Sequence, residues 1–121
     1  MGAGVTEAQL HASVAQYLTL ALDPSVFWFH PVNEGKRGFK AQRDFKRLGG
    51  RAGLPDLCLV HNGRACWIEL KCATGHLSPA QRECAMRLRA AGCPVPLVCR
   101  SLDEVIAALA EFGIPVRARA A

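Results

Sequence analysis

Apolar residues recur along the chain with two alternating periods, and these divide it into eight elements. Leu10, Val14, Tyr17, Leu18 and Ala21 fall at helical spacing behind Thr6-Glu-Ala-Gln9, which has the form of a capping box. This predicts a helix over about 6–22, stopped by Asp23-Pro24. The β-branched and aromatic run Val26-Phe-Trp-Phe29 reads as a strand ending at His30-Pro31. A short second helix follows, with Ala41, Phe45 and Leu48 as an apolar stripe and Lys40, Arg43 and Arg47 as a basic one, ended by Gly49-Gly50. Leu57 to Val60 and Ala65 to Leu70 are strand-like and flank Asn62-Gly63. That dipeptide favours a hairpin, because a type I′ turn needs positive φ at both central residues. Ser78-Pro-Ala-Gln81 opens a third helix running to Ala91, with Gly92 beyond its end. Val95 to Cys99 makes a fourth strand, and a last helix ends at Phe112 before Gly113. The order predicts an α/β fold, a small mixed four-stranded sheet flanked by helices. One domain spans 1–121, with its core over about 5–112 and loose ends at 1–5 and 116–121.

The hairpin register places chemistry. With Asn62 and Gly63 as the loop, Leu57, Leu59, Cys66, Ile68 and Leu70 share one face, an apolar surface for the core. Asp56, Cys58, Val60, Ala65, Trp67, Glu69 and Lys71 share the other, with Asp56 opposite Glu69. Opposed carboxylates repel, so a purely structural role explains them poorly. A divalent cation held by both would resolve the conflict and polarise a phosphate, with Lys71 placed to orient a nucleophile or counter developing charge. A bulge or longer loop would destroy this opposition.

Charge adds a second feature. The chain carries a net +5, yet the window from Lys36 to Arg51 alone carries +6, through Lys36, Arg37, Lys40, Arg43, Lys46, Arg47 and Arg51 against Asp44. So concentrated a patch suits a polyanionic partner such as nucleic acid. The six cysteines contain no C-x-x-C pair and read as reduced, mostly buried thiols. Apolar runs fall short of the roughly 20 residues of a membrane span. No secretory signal opens the chain, so a soluble cytoplasmic protein without membrane partners is expected.

Gly53-Leu-Pro-Asp56 followed by Glu69-Leu-Lys71 resembles the PD-(D/E)xK nuclease superfamily. Joined to His30-Pro-Val-Asn33, Arg51-Ala-Gly, Trp67-Ile and Leu77-Ser-Pro-Ala-Gln81, the pattern resembles the VRR-NUC (virus-type replication-repair nuclease) family in its standalone, phage-encoded form, over about residues 5–105. The resemblance implies a restriction-endonuclease-like core, Mg²⁺ or Mn²⁺ as cofactor, no organic cofactor, and DNA as substrate. It implies that Asp56 and Glu69, with the Leu70 carbonyl, hold the metal and that Lys71 is the catalytic lysine. Gln81 and Glu7 correspond to further site residues, and His30 and Asn33 to a flanking stretch. Each has a plainer reading: Gln81 caps its own helix, Glu7 is a first-turn acid, and His30 and Asn33 end a strand. Standalone members also imply a homodimer cutting branched DNA such as four-way junctions. The rival expectation is a non-catalytic nucleic-acid-binding module that uses the 36–51 segment alone. A nucleotide phosphohydrolase would need a glycine-rich phosphate loop, and the sequence has none.

Overall fold

A computed structural model describes residues 4–32 and 38–117. In chain order the elements are α1 (Glu7–Ala21), β1 (Phe27–Phe29), α2 (Phe39–Arg47), β2 (Leu57–His61), β3 (Arg64–Leu70), α3 (Pro79–Ala90), β4 (Leu97–Cys99) and α4 (Leu102–Phe112). The four strands form one sheet in the order β1-β2-β3-β4. Its first two pairings are antiparallel and the β3–β4 pairing is parallel, so the sheet is mixed, as expected.

The predicted hairpin register holds. Cys58 pairs with Trp67 and Leu59 with Cys66, across a turn in which Asn62 and Gly63 have φ of 51° and 72°. Leu57, Leu59, Cys66, Ile68 and Leu70 are accordingly buried, joining Leu10, Val14 and Leu18 of α1 and Val105, Leu109 and Phe112 of α4 in one core. Each large side chain fully buried there contributes about 1.5–3 kcal/mol. Helices α1 and α4 thus cover one face of the sheet. The other face carries Glu69 and Trp67, with Phe29 in edge-to-face contact with Trp67 and Phe27 largely exposed at the sheet's edge.

Both capping boxes form: the Thr6 and Ser78 hydroxyls accept from the backbone N–H groups of Gln9 and Gln81, whose side chains accept from the N-cap N–H groups. The apolar stripe of α2 stays outside the core: none of its residues is buried, Leu48 is exposed, and Phe45 is half-buried over Gly50. Two expectations change. Strand β4 begins at Leu97 rather than Val95. The segment read as a tail from 116 is held as far as Arg117, whose N–H donates to the Ala21 carbonyl and whose Nε donates to that of Leu22. Among the described residues, all six thiols are free and no helix is long and apolar enough to cross a membrane.

Gly53 fixes how the segment before β2 meets α3. Its φ of +82° is left-handed, and a Cβ there would lie 2.4 Å from the Ala80 carbonyl oxygen and 2.9 Å from the Gln81 nitrogen. Neither backbone can yield cheaply. Gly53→Ala is therefore expected to destabilise the protein by about 2 kcal/mol or more and to push the first turn of α3 outward. Chemical denaturation would measure the loss, and an unchanged midpoint would show that this close approach is not maintained in solution.

Candidate active site

Asp56 sits one residue before β2, at the mouth of the hairpin. Its Oδ2 accepts from the Leu70 N–H at 2.8 Å, which ties the carboxylate to the end of β3. Across from it, Glu69 is 4% exposed. Glu69 Oε2 accepts from Gln81 Nε2 at 3.1 Å and lies 3.4 Å from Lys71 Nζ, while Oε1 is buried with no hydrogen-bond partner. From α1, Glu7 brings a third carboxylate: oxygens of Glu7, Asp56 and Glu69 all lie within 4.8 Å of one another. Lys71 Nζ is 4.0 Å from Glu7 Oε1.

Electrostatics follow from this crowding. Burial, reinforced by the charge of Asp56, pushes the Glu69 carboxyl up to about 7, against the opposing pull of Lys71. An orphaned buried oxygen among three carboxylates is a donor set that a divalent cation would satisfy. Hard oxygen ligands of this kind fit Mg²⁺ or Mn²⁺. The residues present therefore suit the metal that the sequence pattern implies.

Supporting contacts fix the approach to the site. Arg100 Nη1 donates to the carbonyls of Cys72 and Gly75, each at 2.7 Å, which pins the turn that leaves Lys71. His30 Nδ1 donates to the Asp56 carbonyl at 2.6 Å, joining the end of β1 to the start of β2. An open cleft of about 240 Å³ is lined by Glu7, His30, Gly53, Asp56, Glu69 and Gln81. It adjoins, through Gly53, a larger groove of about 700 Å³ between α2 and α3 that includes Lys46 and Arg51.

The sequence profile of the VRR-NUC domain matches residues 22–102, two thirds of the chain and all of the hairpin. The chain belongs to the VRR-NUC domain family. Two solved structures agree in fold. One, described as a VRR_NUC domain protein, is 23% identical with a TM-score of 0.69, covering 91% of this chain and 89% of that one. Another, a VRR_NUC domain, is 21% identical with a TM-score of 0.52, covering 88% and 96%. At these identities the likeness speaks for the fold. Among curated proteins, none matches the chain.

As a VRR-NUC chain it falls within a nuclease family, whose substrates are nucleic acids. The structure brings Glu7, Asp56, Glu69, Lys71 and Gln81 together, with His30 beside them. Leu70 contributes its N–H to Asp56. Gln81 makes two contacts at once: its Oε1 accepts from the Ser78 N–H at the start of α3, while its Nε2 donates to Glu69. The basic residues Lys40, Arg43, Lys46 and Arg47 lie on α2, away from the carboxylates in sequence and exposed, and Arg51 lines the larger groove. Lys36, Arg37 and Asn33 lie outside the described residues. Sequence reasoning passed over His11, whose ring meets that of His30 edge-on at 4.4 Å between centroids. The available signal was its position one helical turn after Glu7.

Proposed function

We propose that this chain is a Mg²⁺- or Mn²⁺-dependent deoxyribonuclease, a structure-selective endonuclease acting on branched DNA such as four-way junctions. The observation that carries the reading is the buried, unpartnered Glu69 Oε1 set among the carboxylates of Asp56 and Glu7, with Lys71 in the same cluster. Asp56 and Glu69, with the Leu70 carbonyl, would hold the metal. When bound, it supplies Lewis-acid polarisation of the scissile phosphate and eases loss of a proton from water.

The side chains around it do the rest. Gln81 keeps Glu69 from rotating away, and the Leu70 N–H does the same for Asp56. Lys71 is 8% exposed, so its ammonium acts in a medium that screens poorly. Hydrolysis requires a water oxygen to attack phosphorus and lose a proton as the P–O ester bond breaks. Lys71 Nζ would hold that water or a phosphate oxygen against the cluster, with Glu7 Oε1 4.0 Å away as a second anionic neighbour of the amine.

Helix α2 supports the substrate class. Lys40, Arg43, Lys46 and Arg47 are exposed on it, Lys46 and Arg51 line the groove that opens through Gly53 onto the site, and Lys36 and Arg37 extend the same basic segment in sequence. Replacing Arg43 and Arg47 by glutamine is expected to weaken binding equally for all DNA sequences. It should also reduce the salt slope of log K by about 1–2. Fluorescence anisotropy at several salt concentrations reads this directly, and an unchanged slope would remove the patch from the interface. A homodimer belongs to the same proposal: one small domain offers little surface for a branched duplex, and the exposed Phe27 and Phe29 leave apolar area for a second copy.

The test is cleavage of a labelled panel comprising single strand, duplex, flap, splayed arm and four-way junction, each with Mg²⁺, Mn²⁺ or EDTA. Metal-dependent cutting strongest on the junction is expected. Tight, EDTA-insensitive binding with no cutting on any substrate would replace the nuclease by a binding module.

A further inference from the structure

Beyond the carboxylates lies a second cluster of donors with a different chemistry. A ring nitrogen of His11, a ring nitrogen of His30 and a carboxylate oxygen of Asp56 lie within 4.8 Å of one another, all partly exposed. The two imidazoles come from separate elements, α1 and the residue after β1, and meet edge-on. Two aromatic rings in a core stack to bury area. These converge instead on a carboxylate at the wall of an open cleft.

The hydrogen bond of His30 bears on ligation. A carbonyl can only accept, so Nδ1 carries the hydrogen that the Asp56 carbonyl receives at 2.6 Å. That bond fixes the ring's orientation, as the outer contacts of metal-ligating histidines do. Here the partner backbone belongs to the very residue whose carboxylate completes the cluster.

We propose that His11, His30 and Asp56 form a second divalent-cation site, selective for an imidazole-binding ion of the Zn²⁺ class, that shares Asp56 with the carboxylate site. Donor type separates the two. Glu7, Asp56 and Glu69 offer only oxygen and suit Mg²⁺ or Mn²⁺, whereas two imidazoles and one carboxylate match a zinc site with an open position. Glu7 and His11 stand one turn apart on α1, so a single helix face serves both. The shared carboxylate couples the centres: an ion on the histidines competes for, or bridges through, the oxygens of Asp56.

The site is an addition to the nuclease reading and can be tested without cleavage. Protein labelled with ¹⁵N-histidine is titrated with Zn²⁺ while the imidazole ¹⁵N resonances are followed by NMR, with His61 and His76 as internal references. His11 and His30 are expected to shift together along one binding curve. Asp56→Asn, His11→Gln and His30→Gln should each weaken that curve by roughly tenfold or more. Glu69→Gln, which leaves all three proposed ligands in place, should still show the two rings shifting together. Shifts at neither ring, at one ring alone, or indifferent to Asp56→Asn would overturn the site. Absent DNA cleavage in the panel above would overturn the nuclease reading and leave this curve untouched.

Discussion

Lys71→Ala is expected to lower cleavage by about 10²–10⁴-fold while leaving DNA binding within a few-fold, because in the proposed mechanism the lost amine acts where charge develops. The side chain is buried, within 3.4 Å of Glu69 and 4.0 Å of Glu7, so its removal leaves two carboxylates without their cation. Repulsion among the acids then rises, and the variant should demand more metal for half-maximal rate. Single-turnover cleavage over a range of Mn²⁺ concentrations separates these effects. Lys71→Arg restores the charge but not the compact ammonium, and should recover metal affinity better than rate. Full activity in Lys71→Ala would remove the lysine from the chemistry and leave it a structural counter-ion.

The second large effect concerns stability and pH. Glu69 has its carboxyl raised to about 7, first by burial and then by the adjacent Asp56. A raised carboxyl means that the folded state holds a proton which the unfolded chain releases near pH 4.5. The stabilisation is therefore complete below the unfolded value and is lost as pH rises through about 7. From pH 5 to 8 the metal-free protein is expected to lose on the order of 2–3 kcal/mol, a drop of several degrees in Tm. The Cys58 and Cys99 thiols, which burial pushes up to about 11, titrate outside this window. Saturating Mn²⁺ should reverse the trend, since a cation binds the ionised carboxylates and stabilises the folded state most where the proton has left. Thermal melts at pH 5, 6, 7 and 8, with EDTA and with Mn²⁺, supply the test. In Glu69→Gln both the fall and the reversal should flatten. Parallel pH profiles for wild type and variant would mean that Glu69 ionises freely and is not held as the structure shows.

What the sequence disclosed follows the range of each interaction. The hairpin was legible because Asn62-Gly63 sets its own register and the alternation from Leu57 to Leu70 repeats that register as burial. Asp56 and Glu69 were therefore readable as neighbours before any fold was known. The arrival of Glu7 beside them depends on how α1 crosses the sheet, which no local pattern encodes. His11 was missed for the same reason, and the His30 bond to Asp56 needed the β1–β2 pairing, for which no turn residue gave a register. Helix α2 shows where a local pattern stops being informative. Its periodicity was real, but a period states which residues share a face, and only packing decides whether that face meets anything.

Gln81 carries a consequence for how this protein can vary over generations. Its carbonyl end closes the first turn of α3 and its amide end holds Glu69, so in the proposed enzyme one side chain answers to folding and to chemistry together. Glutamate, the usual substitute in a capping box, would retain the cap and set a further negative charge against Glu69. Asparagine keeps the amide but is a methylene too short to span from Ser78 to the carboxylate. Mutational drift at this position is thus closed from both directions, and a lineage that altered it would have to rebuild the helix start and the acid at once.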